Sequence, residues 1–400
     1  MFQILLAVIY LSFISLGLPD SLLGSAWPSM YPEFSVPVSY AGIISMIIAA
    51  GTIFSSLQSD RLTKKLGTGR VTAISVGITC AALFGFSFSH SFVLLALWAI
   101  PYGLGAGAVD ASLNNYVALH YKSRHMSWLH CMWGVGASLG PYVMGYAIGH
   151  GQGWNMGYRY IGFFQIVLTA ILIFSIPLWK KNTTEAADAS DKSDAPEKPL
   201  SLPEIFRIPG AKEVMITFFC YCAIEQTTGL WAASYLVLRW NVNAETAAGF
   251  ASMFFIGITI GRAINGFLTF KLSDTALIRL GQAVILCGSL MILIPISSSV
   301  ALAGLIVIGL GCAPIYPSVI HSTPAHFGAD KSQAIIGVQM ASAYMGTLLM
   351  PPLFGLIANY ISITLFPVYL ILILVLMVVM HERLVKKTAD LFPDARFQRK

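Results

Sequence analysis

Apolar runs of roughly eighteen residues or more recur along most of this chain, and that is the length an α-helix needs to cross a bilayer's hydrocarbon core. Lipid offers no hydrogen bonds, so each run must satisfy its own backbone, which a helix does. With only 10% of 400 residues charged, little is left over for a soluble domain. The chain reads as an all-α, multi-pass membrane protein. Met1-Phe2-Gln3 lacks the basic n-region of a cleaved signal peptide, so the first apolar segment is expected to be kept as a helix.

Breaking the hydropathy pattern at clusters of charge and turn residues gives twelve spans, roughly 4–27, 39–58, 71–89, 92–119, 128–149, 159–179, 212–238, 247–270, 277–297, 300–324, 333–358 and 362–381. With both termini cytoplasmic, every Lys and Arg of the 24 falls on the inner side except Arg159 and Arg239 at outer ends and Arg262 within a span. That asymmetry sets the orientation in the cell's inner (plasma) membrane. It also accounts for the net charge of +6 without a nucleic-acid partner.

The one long polar stretch, Lys180 to Gly210, is too rich in Thr, Glu, Asp, Ser and Pro to bury a core, and it reads as a cytoplasmic linker. It divides an N-terminal six-helix bundle, residues 1–179, from a C-terminal one, residues 211–382, which a basic tail at 383–400 follows. An internal repeat supports the division. At an offset of 206 residues Gly51 falls on Gly257, Gly103-Leu-Gly on Gly309-Leu-Gly, His120 on His326, and Pro19-Asp20 on Glu225-Gln226. After four extra residues Gly136, Pro141 and Gly145 match Gly346, Pro351 and Gly355.

Three carboxylates, Asp20, Asp110 and Glu225, lie inside these apolar segments. An acid at membrane depth costs several kcal/mol and faces a polar cavity or a partner. Asp20 follows Pro19, which removes a backbone donor, and shares a helical face with Gly24 and Trp27. The competing reading is an acid near the outer end that is simply solvated. Asp110 lies about two thirds through its span with Asn114 one turn later. Glu225 sits near the middle of the seventh span beside Gln226. By the repeat, Asp20 and Glu225 are near-equivalent positions expected to face each other across a cavity. Asp110 falls on Tyr316 and has no acidic counterpart.

Two parallel six-helix halves and the loop Asp60-Arg61-Leu62-Thr63-Lys64-Lys65-Leu66-Gly67-Thr68-Gly69-Arg70 resemble the major facilitator superfamily. The lengthened loop motif is similar to that of the fucose/proton symporter branch. So is Gly103-Leu-Gly-Ala-Gly-Ala-Val-Asp110-Ala-Ser-Leu-Asn114-Asn115 in the fourth span, which also resembles vertebrate sugar-transporter relatives. The resemblance implies that acids of the first and fourth helices serve proton coupling and sugar recognition, which places Asp20 and Asp110. It offers no counterpart for Glu225. A carboxylate in a poorly hydrated cavity holds its proton more tightly than in water, so changes in hydration can load and release it.

Asn114, Asn115, Gln226 and Gln339 can each donate and accept, and Trp27, Trp133, Trp231 and Tyr344 offer flat faces to a sugar ring. His130 lies one turn from Trp133. Lipid contact or helix packing explains any one of these aromatics equally well, and packing suits His130 and His321 better. Arg262 is expected to pair with a carboxylate or reach the inner surface. Asp60, Arg61, Lys64 and Arg70 suit a conformational latch at the cytoplasmic face, where ionic contacts form and break during rocking.

The sequence carries no nucleotide loop, no HExxH and no clustered metal ligands, and its cysteines all fall within spans. The expectation is a monomeric, proton-coupled importer of a small neutral sugar or polyol, with no cofactor beyond the proton gradient. A proton-driven exporter of drugs or metabolites is the rival within transport; a membrane enzyme or a non-transporting receptor is the rival outside it.

Overall fold

The computed structural model describes residues 2–120, 123–187 and 202–388. The first half runs α1 (Phe2–Asp20), α2 (Leu22–Glu33), α3 (Tyr40–Leu66), α4 (Thr68–Ser87), α5 (Phe92–His120), α6 (Ser123–Gly149) and α7 (Trp154–Ala187). The second runs α8 (Leu202–Arg207), α9 (Ala211–Trp240), α10 (Ala244–Leu268), α11 (Asp274–Leu293), α12 (Ser298–Cys312), α13 (Ile315–Phe327), α14 (Ala329–Ile357) and α15 (Phe366–Thr388). Two crossings are interrupted. α1 gives way to α2 just after Pro19, and α12 to α13 at Ala313-Pro314, where proline withholds the N–H that would continue the ladder. With each interrupted pair taken as one crossing and the short α8 set aside, the described residues give twelve helical crossings.

Several helix ends differ from their expected places, and three helices run on past the apolar span for one reason, α15 reaching Thr388 inside the expected basic tail. α3 continues through Asp60 to Leu66, where a loop is expected, and α7 runs on to Ala187, inside the expected linker. Hydropathy marks where a helix leaves the bilayer, whereas Leu, Lys and Ala beyond that point still favour helix. The stop after α3 is Gly67, whose φ of +82° only glycine adopts freely. Residues 188–201 of the linker and 389–400 of the tail lie outside the described residues; within the former linker range, α8 is helical.

The chain divides into two compact units, Met1–Pro196 with Asn243–Ser252, and Glu197–Val242 with Met253–Lys400. In the first, Phe13, Val109, Leu113, Leu129, Leu168 and Leu172 form a core contributed by α1, α5, α6 and α7. In the second, Phe354 packs edge-on against Trp231 and Phe366, with centroids 5.7 and 5.4 Å apart. Large apolar side chains such as Phe174, Phe267 and Phe270 stay exposed. Water would penalise that surface, and lipid does not.

The repeat reappears in the packing. A Cβ on Gly103 would stand 2.3 Å from the carbonyl oxygen of Ile48, and one on Gly309 would stand 2.1 Å from that of Phe254. Residues 48 and 254 are separated by the same 206 positions as the two glycines, so one backbone-to-backbone crossing has been built twice. Gly136 against Ile14 and Gly346 against Phe219 repeat a second crossing, with 2.0 and 2.4 Å to the facing carbonyl oxygens. No side chain fits at any of these four glycines without shifting backbone.

Candidate functional site

In the first unit, α1 and α6 lie so close that a Cβ on Gly17 would meet the carbonyl oxygen of Trp133. This approach brings the Trp133 side chain to Asp20, one turn further along α1. The indole Nε1 donates to Asp20 Oδ2 at 2.9 Å, and the Tyr102 hydroxyl on α5 donates to Oδ1 at 2.9 Å. Tyr102 is itself fixed by stacking on Phe86, centroids 5.9 Å apart. Asp20 nevertheless stays exposed. Three helices thus hold the acid by neutral donors while leaving it accessible, which a merely solvated end residue would not require.

Asp110 lies two turns beyond Tyr102 on α5, half-buried, and accepts from Asn114 Nδ2 at 2.9 Å. The two acids therefore share a helix of partners, α5, and all their hydrogen-bonding neighbours given above are uncharged. Tyr102 is the site residue that sequence reasoning missed. Its one local sign is position, as the polar ring in Ile-Pro-Tyr-Gly on the helix that carries Asp110.

Trp133→Phe keeps the ring and deletes the donor to Asp20. A hydrogen bond to a charged group contributes about 1.5–3 kcal/mol to the folded state, so the variant is expected to unfold at lower temperature and, as Asp20 loses one of its two donors, half-saturation for uptake is expected to rise. Concentration-dependent uptake, with thermal unfolding as the stability control, checks this. An unchanged half-saturation would remove the indole N–H from the site.

The other candidates scatter. Trp27 is fully buried and donates to the Val38 carbonyl at 2.7 Å, and Trp231 is fully buried and donates to the Pro351 carbonyl at 2.9 Å. Both are packing residues here, with no open face for a ligand. Gln339 is likewise buried and bonded to Thr323. Gln226 is exposed, and Tyr344 and His130 are half-buried. His321 meets Asp274 at 2.6 Å. The side chain of Asn115 lies outside the described residues, as do those of Asp60, Arg61 and Lys64 of the expected latch. Arg70, the latch residue whose side chain is described, borders a small cleft with Gly69, Tyr116 and Trp179.

Glu225 departs from the other two acids. In the second unit it is buried, and its Oε1, which accepts no hydrogen bond, stands 3.6 Å from Nη2 of Arg262 on α10. Both side chains are nearly withdrawn from solvent, at 9% and 13% exposure. The repeat makes Glu225 near-equivalent to Asp20, but the position matching Arg262 in the first half is Ser56, whose hydroxyl donates to the Gly107 carbonyl. One half thus holds its acid with neutral donors and the other with a cation.

Residues 9–340 match the family profile described as Major Facilitator Superfamily. "Bypass of stop codon protein 6" of Saccharomyces cerevisiae is 23% identical over 275 residues, 64% of this chain and 55% of that protein, so the match spans about half the length of the yeast relative. The glucose/mannose transporter GlcP of Bacillus subtilis is 24% identical over 321 residues, 77% of each chain. Among solved structures, the nucleoside transporter NupG superposes with a TM-score of 0.75 at 15% identity, covering 95% of this chain and 98% of that one. At that identity the likeness speaks for the fold alone.

Proposed function

The chain belongs to the Major Facilitator Superfamily, as a multi-pass secondary transporter of a small molecule, and from that premise we propose that it takes up a neutral sugar or polyol together with protons. The observation that carries the proposal is the accessible carboxylate of Asp20 between Tyr102 and Trp133, with Asp110 and Asn114 further along the same helix. A carboxylate with no fixed cation can take up a proton or accept hydroxyl donors. The indole ring beside it has the flat apolar face that the C–H surface of a sugar ring covers. Asn114 both donates and accepts, as a polyol requires. The relative named for glucose and mannose, and the loop and fourth-helix resemblance to the fucose/proton symporter branch, support the same substrate class. The distribution of Lys and Arg supports cytoplasmic termini in the plasma membrane.

Purified protein in sealed vesicles tests the proposal. With an inward proton gradient, one member of a panel of neutral sugars and polyols is expected to accumulate above equilibrium while the external medium turns alkaline. Accumulation that follows only a sodium gradient, or gradient-driven movement of lipophilic cations in the export direction with no sugar moved, overturns it.

A further inference from the structure

Behind Tyr102, the donor to Asp20 Oδ1, the first unit buries a second phenol that the site as described does not use. Phe86 on α4 packs against both: the Tyr102 ring stacks on it with centroids 5.9 Å apart, and the Tyr158 ring of α7 meets it edge-on at 5.4 Å. All three rings are buried. Tyr158 is also held along its own helix, because Trp154, one turn earlier, meets it edge-on with centroids 6.1 Å apart. The Trp154 indole is in turn pinned, its Nε1 donating to Glu33 Oε2 at 2.6 Å. A phenol clamped between two such rings cannot swing its oxygen out to solvent. Yet the Tyr158 hydroxyl, itself buried, makes no hydrogen bond to the protein. An unmatched buried hydroxyl is costly, and ordered water is its usual partner.

The hydrogen bond that Tyr102 already makes shows where such a water belongs. Its one proton is committed to Asp20, so its oxygen has only lone pairs left to offer. The two phenols are near enough to interact electrostatically. A water that accepts the Tyr158 proton and donates to the Tyr102 oxygen satisfies both. Each bond in a chain of this kind polarises the next, so the last one, onto the carboxylate, is strengthened.

We propose that Tyr158 is a positioning residue for the Asp20 site, acting through a buried water and Tyr102 to fix the carboxylate that accepts substrate hydroxyls. The inference rests on the sugar or polyol reading above and adds to it a residue that acts at one remove. The chain of donors runs from Tyr158 to water, from water to Tyr102 and from Tyr102 to Asp20 Oδ1. Trp133 holds Oδ2 from the other side, so both carboxylate oxygens keep fixed directions. A carboxylate fixed in this way meets a hydroxyl without first having to be ordered.

Tyr158→Phe deletes one oxygen and keeps the ring. Uptake kinetics of Tyr158→Phe, Tyr102→Phe and the double variant, measured with the sugar or polyol that the vesicle panel identifies, form a double-mutant cycle. Tyr158→Phe is expected to raise half-saturation about two- to fourfold with the maximal rate unchanged, the size that cooperative strengthening of one bond to a charged group allows. Tyr102→Phe is expected to raise it further. The double variant should match Tyr102→Phe alone, because Tyr158 has nothing to act through once the Tyr102 oxygen is gone. A residue that merely packs would give additive losses instead. Thermal unfolding supplies a second readout: removing an orphan hydroxyl relieves a cost and raises the unfolding temperature, whereas removing a bridged one leaves it level or lower. Additive effects, an unchanged half-saturation or a raised unfolding temperature overturn the link. If the unmodified protein takes up no sugar or polyol, the site reading and the link fall together; if it does and the cycle fails, the link alone falls.

Discussion

Asp110→Asn is expected to abolish accumulation against a gradient while leaving downhill entry measurable. The amide is nearly isosteric with the carboxylate, and its oxygen can still accept from Asn114 Nδ2 across the 2.9 Å contact, so the helix and its neighbour keep their geometry. What is lost is the ability to take a proton on one side and give it up on the other. One pH unit of gradient carries 1.36 kcal/mol per proton, which supports about tenfold accumulation for each proton coupled. The expected ratio of internal to external substrate therefore drops from about ten per pH unit to one. Uptake into vesicles at fixed internal pH measures it directly. A variant that still accumulates substrate would move the coupling role to Asp20, whose Tyr102 and Trp133 contacts would then serve proton transfer as well as recognition.

The crossings were legible because hydropathy is a local property and the bilayer imposes one length on every helix. The helix ends were less so. Ser59 to Leu66 leaves the apolar run yet stays helical, because membrane exit and helix termination have different causes. The repeat was legible at glycines because Gly103 and Gly309 permit one and the same backbone crossing, and only glycine does. The acids themselves were visible against an apolar background, but their partners were not. Tyr102 and Trp133 lie 82 and 113 residues from Asp20, and no periodicity relates them. Aromatic rings on a helix look alike in sequence whether they face a cavity or a neighbouring carbonyl. Trp133 reaches the Asp20 carboxylate, whereas Trp27 and Trp231 reach neighbouring carbonyls. Glu225 shows the limit of arguing from symmetry, since the offset that equates it with Asp20 also replaces Arg262 by Ser56.

Removing either member of the Glu225–Arg262 pair alone is expected to cost far more than removing both. At 3.6 Å, with no hydrogen bond at Glu225 Oε1, the two charges gain mainly by compensating each other in a place that water scarcely reaches. Glu225→Gln removes the carboxylate that faces Arg262, and Arg262→Met removes the cation that faces Glu225. Breaking a buried pair from one side typically costs about 3–5 kcal/mol, whereas replacing both ions by apolar groups of similar volume is often close to neutral. The single variants are therefore expected to unfold at markedly lower temperature in detergent. Glu225→Leu combined with Arg262→Met should recover most of that loss, giving a large coupling energy in the double-mutant cycle. The same double variant decides whether Glu225 carries a coupling proton. If the pair serves only to tie α9 to α10, the double variant keeps proton-driven accumulation. If stability returns and accumulation does not, Glu225 joins Asp110 as a proton carrier, and the division between an uncompensated site in the first half and a compensated one in the second is wrong.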